Sequence, residues 1–265
     1  MLDAAASIFW AMGRSITWTN IFAGPVQAHS MSSGSLADLA PRRRAIYVAT
    51  TVLLALAYGS LPRNGWHGGA QLHTLMELAA TLLALIVGIL ALVRFYSKKE
   101  NAILFIATGF IGTGLLDGYH AFVSAPVFMQ YFPSPPPALI PWSGFASRLF
   151  LSVLLWLSWM FWRRESAHQE SRPVPEYLVY LIVGAWTLGY FLFFALAPLP
   201  VGYKQLPIFH RLQEFLPAIF AIMALAGYLH KGRWKRDPLE FWLVLAIMLW
   251  IGQSLYMSTS DRLYD

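Results

Sequence analysis

The chain is 265 residues long, 57% hydrophobic and only 12% charged, with a mean hydropathy of +0.53. Soluble domains carry roughly a quarter charged residues, so this composition excludes an ordinary soluble enzyme and, outside residues 1–44, a disordered chain. There is no cysteine, which removes disulfides, thiolate metal sites and cysteine nucleophiles, and the net charge of +6 is dispersed between apolar runs rather than gathered into a patch for nucleic acid.

In chain order, residues 1–44 read as a cytoplasmic or interfacial N-terminal segment. Ile8, Phe9, Met12, Ile16 and Ile21 suit a helix lying on the membrane surface. Val26-Gln27-Ala28 resembles a cleavage site, but no Lys or Arg precedes the apolar stretch and Arg14 interrupts it, which argues against a signal peptide. His29 to Asp38, rich in serine, reads as a flexible linker.

Residues 45–265 form the helical bundle. Seven stretches are long enough to cross about 30 Å of hydrocarbon: 45–61, 71–95, 102–124, 144–162, 177–197, 207–229 and 239–258. Backbone amides in lipid must be satisfied within the segment, and no alternating pattern marks barrel strands, so each is a helix. The fold class is all-α, a polytopic membrane bundle with seven transmembrane helices. Thirteen Lys/Arg precede span one or follow spans two, four and six, against three (Arg63, Lys204, Arg262) on the opposite side. The positive-inside rule then sets the N-terminus in the cytoplasm. Loop 125–142, with Pro133-Ser134-Pro135-Pro136-Pro137 and Pro141-Trp142, reads as a stiff, extended outer cover.

Ionisable groups inside a span are costly, so each asks for a reason. Here they gather at one depth, within two or three turns of the outer surface: His73 and Glu77 in span two, Asp117 and His120 in span three, Arg148 in span four, His210, Arg211 and Glu214 in span six, with Gln253 and Tyr256 near the end of span seven. His73/Glu77 and His210/Glu214 are four apart and Asp117/His120 three apart, so each pair shares a helix face. The frames around His73/Glu77 and His210/Glu214 match as apolar-His-x-Leu-x-Glu-apolar, a hint of internal duplication. Gly109, Gly112, Gly114 and Gly118 suit close helix packing.

Three roles compete for this cluster. It fastens helices through satisfied polar pairs; or it holds a transition metal (Zn, Fe or Cu) or a haem, with His73, Glu77, His120, His210 and Glu214 as ligand candidates; or it forms a pocket for a small ligand with Arg148 holding an anionic group. The Glu-x-x-His order of soluble di-iron bundles is absent. No polar stripe continues through the inner halves of the spans, which disfavours a channel.

The runs Leu72-His73-Thr74-Leu75-Met76-Glu77-Leu78 and Gly112-Thr113-Gly114-Leu115-Leu116-Asp117-Gly118-Tyr119-His120, followed by Trp142 and Arg148, resemble the bacterial membrane-associated sensor domain MASE3 over residues 45–265. The resemblance makes Glu214 the counterpart of a Glu at the outer start of a later helix in that family. It implies the input half of a bacterial signalling protein in the inner membrane, with a diguanylate cyclase, a two-component histidine kinase or a similar cytoplasmic module as output. With seven spans, such an output calls for an eighth span beyond Asp265, or belongs to a version that has lost it. The expected partners are membrane lipids, a second copy or a larger membrane complex, and no nucleic acid. A membrane metal-dependent hydrolase, with Glu77, Asp117 or Glu214 accepting a proton, and an accessory structural subunit are the alternatives. The sensor reading makes the chain itself no enzyme.

Overall fold

The computed structural model describes residues 33–60, 69–125, 127–167, 174–202 and 209–259. The surface-helix and cleavage-site readings of the N-terminus, and His67, fall outside these residues. The chain divides into two units, Met1–Arg42 and Arg43–Asp265. Among the described residues there are seven α-helices and no strand: α1 (Ser33–Ser60), α2 (Ala70–Lys98), α3 (Asn101–Ser124), α4 (Pro136–Ala167), α5 (Glu176–Leu196), α6 (Phe215–Lys231) and α7 (Pro238–Thr259). It is a polytopic all-helical bundle. Among the described residues six helical segments are long and apolar enough to cross a membrane: α2 to α5, α7, and α6 together with the 3₁₀ turn before it, Leu212–Lys231.

The first helix differs. Arg42, Arg43 and Arg44 lie inside it rather than before it, so its apolar part among the described residues is Ala45–Ser60, about 24 Å at 1.5 Å per residue against a hydrocarbon thickness of about 30 Å. The expected linker His29–Asp38 is helical from Ser33, where Leu36, Ala37, Leu39 and Ala40 favour helix. Two other boundaries move. The proline cover is an extended loop only to Pro135, because Pro136 and Pro137 fit a helical first turn whose amides need no partner, and α4 starts there. Span six, expected from 207, becomes α-helical only at Phe215. The amides of His210 and Arg211 instead donate to the carbonyl of Ser258 (2.9 and 3.1 Å), satisfying the C-terminal turn of α7.

The central helices α3 and α4 are buried over most of their length, whereas α2 and α5 turn broad leucine, isoleucine and valine faces outward, as lipid-facing helices do. Small residues let the centre close up. A Cβ on Gly112 would lie 2.4 Å from the Phe150 ring, and one on Gly227 would lie 2.3 Å from Trp159. Trp159 therefore packs on α6, and Trp162 carries the Lys231 ammonium 4.4 Å from its ring centre, so these two indoles are used inside the bundle.

Charged residues gather at one end. Arg94 bonds Asp237 (3.1 Å), Arg233 reaches Glu100, Asp237 and Glu240, Lys231 pairs with Glu240 (2.6 Å) and Lys99 with Glu176 (2.6 Å). Burial pushes the Asp237 carboxyl up, but Arg94, the Leu239 amide and Arg233 outweigh it and hold the group below its usual range. The opposite end is laced by loops: Gly202 N donates to Pro137 O (3.1 Å), Trp142 Nε1 to Pro200 O (3.0 Å), and the Gln213 amide to Gly202 O. The polar cluster lies toward this second end.

Candidate metal centre

The site begins with backbone proximity. The two-residue turn Lys99-Glu100 makes α2 and α3 antiparallel neighbours, and glycines hold them close: a Cβ on Gly88 would meet the Ile111 amide at 2.8 Å, one on Gly114 the Leu85 side chain at 2.8 Å, and one on Gly118 the Thr81 methyl at 3.3 Å. His73 and Glu77, one turn apart on α2, thereby face His120 on α3. The Nε2 atoms of His73 and His120 are 3.3 Å apart with their rings nearly perpendicular (81°), and Glu77 Oε1 is 3.9 Å from His120 Nε2. Among the described residues, these three form a group whose donor atoms all lie within 4.8 Å of one another. No room for a porphyrin is left between two imidazoles in hydrogen-bond contact.

The fourth helix orients His120. The Ser143 hydroxyl donates to Leu139 O (2.8 Å), so its oxygen is the acceptor for His120 Nδ1–H at 2.7 Å. That bond fixes the tautomer and turns the Nε2 lone pair toward His73 and Glu77. One residue on, Gly144 gives His120 Cε1 and the Arg148 guanidinium room to pass; a Cβ there would meet them at 3.4 and 3.2 Å.

A second layer lies beside the imidazoles. Arg148 bonds Glu214 through both branches of its fork, Nε to Oε2 at 2.8 Å and Nη2 to Oε1 at 2.5 Å, and both side chains are almost wholly buried. The geometry is a bidentate charge-assisted pair. Asp117 accepts a hydrogen bond from Ser147, and Arg148 lies within electrostatic reach of Glu77 and Asp117 as well. Arg211, also buried, lies within electrostatic reach of His120. Three carboxyl groups, Glu77, Asp117 and Glu214, thus share this level of the bundle with the Arg148 and Arg211 guanidinium groups.

Six of the sequence candidates therefore converge: His73, Glu77, Asp117, His120, Arg148 and Glu214. His210 does not share a helical face with Glu214, since it precedes a 3₁₀ turn (Leu212–Glu214) and belongs to the segment tied to Ser258. The matching His-x-Leu-x-Glu frame is thus helical in α2 only and marks no structural repeat. Neither His210 nor Glu214 is in the three-ligand group, and both Glu214 oxygens face Arg148. Gln253 and Tyr256 line a separate apolar cleft between α1 and α7.

Ser143 and Ser147 escaped the sequence reading. Their four-residue spacing next to Arg148 is the available signal, but a span drawn from residue 144 leaves Ser143 outside the helix.

The family model of MASE3, a membrane-associated sensor domain, matches residues 67–265. No curated protein and no solved structure matches the chain.

Proposed function

The chain belongs to the MASE3 family of membrane-associated sensor domains, and from that premise we propose that its input is a divalent transition-metal ion held by His73, Glu77 and His120. One observation carries the reading: two imidazole nitrogens 3.3 Å apart, one of them oriented by a serine, with a carboxylate beside them. Tetrahedral zinc at about 2.0–2.1 Å from each nitrogen would set them about 3.3 Å apart. Two imidazoles and one carboxylate make a three-ligand, sulfur-free set of the kind that leaves one coordination position open. The carboxylate among the three ligands favours a cation, and the neighbouring Arg148 suits an anionic ligand in the open position.

Sensing fits better than hydrolysis. A hydrolase needs a carboxylate free to take a proton from metal-bound water, whereas Asp117 is hydrogen-bonded by Ser147 and Glu214 is chelated by Arg148. A metal binding across α2 and α3 would instead favour one packing of these helices over another, which is the condition for a signal. The basic residues at the Arg94–Asp237 end support an orientation with that end in the cytoplasm; in this reading the site lies under the external face of a bacterial inner membrane, and a kinase or cyclase output engages the basic end.

Zinc titration of the detergent-purified chain by calorimetry tests this. One ion per chain is expected, with Glu77→Gln weakening binding by more than about tenfold, since it removes the only anionic ligand. Equal binding by the two proteins would reject the site.

A further inference from the structure

The second feature of note is the cleft of about 780 Å³ between α1 and α7, a volume typical of ligand sites. Within residues 43–60, α1 is fastened to α7 and its preceding turn at the basic end: Arg43 Nη1 donates to Trp234 O (2.6 Å) and Asp237 O (3.3 Å), and the Tyr47 hydroxyl to Phe241 O (3.1 Å). Further along, Leu54 rests on Gly252, whose Cβ would meet it at 3.1 Å, and the space opens around that contact.

Its lining is graded. Leu54, Ala55, Met248 and Leu249 make the deeper wall, whereas Tyr58, Gln253 and Tyr256 lie in the last two turns of their helices, at the end of the bundle where the metal cluster sits. Among the described residues none of the lining side chains is charged. An ionised head such as a carboxylate or a phosphodiester would find no counter-charge among the described lining residues, whereas a neutral carbonyl would find the Gln253 amide and the Tyr58 hydroxyl as donors, above a wall that accepts one apolar tail.

The cleft also touches the segment that leads to the metal cluster. Phe209 and Ser258 both line it; the Ser258 carbonyl accepts from His210 and Arg211, and three residues later Glu214 holds Arg148.

We propose that the cleft between α1 and α7 binds an uncharged, single-tailed lipophile with a carbonyl-bearing head, of the chemical type of a membrane quinone. Binding stands apart from the metal reading.

The test is photolabelling of the full chain in phosphatidylcholine nanodiscs with a diazirine-bearing decylquinone, mapped by mass spectrometry. Label is expected on Thr51–Tyr58 and Met248–Ser258, displaced by decylubiquinone and not by palmitate or excess phospholipid. Ala55→Trp, which fills the cleft, should lower labelling roughly tenfold, about the contact of two methylenes. Gln253→Leu, which keeps the volume and loses the donor, should lower it roughly three- to tenfold. Labelling should persist in Glu77→Gln with chelator present, so a failed metal site leaves this result intact. Label spread over the outer faces of α2 and α5, equal displacement by palmitate, or indifference to both cleft variants would overturn the proposal.

Discussion

Arg148→Met is expected to destabilise the protein by about 3–5 kcal/mol, because it leaves the Glu214 carboxylate buried without its charge partner. The pair is the most enclosed ionic contact of the bundle's polar cluster, tying α4 to the turn that starts α6. Removing both charges together, in Arg148→Met with Glu214→Leu, should recover most of that loss, since an apolar pair of similar volume carries no desolvation cost. Unfolding in mixed micelles by increasing SDS, read by circular dichroism, measures both. A single variant as stable as the parent would show that the two groups are solvated in the membrane-embedded protein, and the double variant separates a lost attraction from a stranded charge.

His120→Ala is expected to weaken metal binding by more than a hundredfold, and Ser143→Ala by about ten- to a hundredfold, the range found when an outer-shell partner of a histidine ligand is removed. The ordering follows from the geometry. His120 supplies a ligand atom 3.3 Å from that of His73 and 3.9 Å from that of Glu77, whereas Ser143 only sets its tautomer and ring angle through the 2.7 Å bond to Nδ1. His210→Ala, outside the three-ligand group, should change affinity by less than about threefold, well under 1 kcal/mol. Competition against a chromophoric chelator gives all three values in one series. A large effect of His210→Ala with none from His120→Ala would mean the ion binds elsewhere.

Depth along the membrane normal was legible in the amino-acid sequence; azimuth around the bundle was not. The spans drawn at 71–95, 102–124, 177–197 and 239–258 fall on α2, α3, α5 and α7, because twenty apolar residues in lipid have few options besides a helix. Polar residues within two turns of one end were therefore identifiable as a level. Which of them meet depends on how the helices rotate and approach, and that is set by contacts such as Gly114 against Leu85 and Gly144 against Arg148. Gln253 and Tyr256 share the level of His120 but face α1.

The other differences arise where the chain is not simply helical. His210 and Arg211 read as the start of a span by hydropathy, yet their amides complete the end of α7, an exchange between distant segments that no local pattern reveals. Pro136 and Pro137 read as extended chain because prolines are poor inside helices, although in the first turn they cost nothing. That shift of α4 brought Ser143 into the same helix as Ser147 and Arg148, where it could orient His120.

X-ray absorption at the zinc edge, on the full chain loaded with one equivalent of zinc, tests the account most directly. It predicts two imidazole nitrogens at about 2.0–2.1 Å together with oxygen donors, and loss of the imidazole scattering in His73→Ala with His120→Ala. A first shell of oxygens only, or an imidazole signal that survives the double substitution, would contradict it.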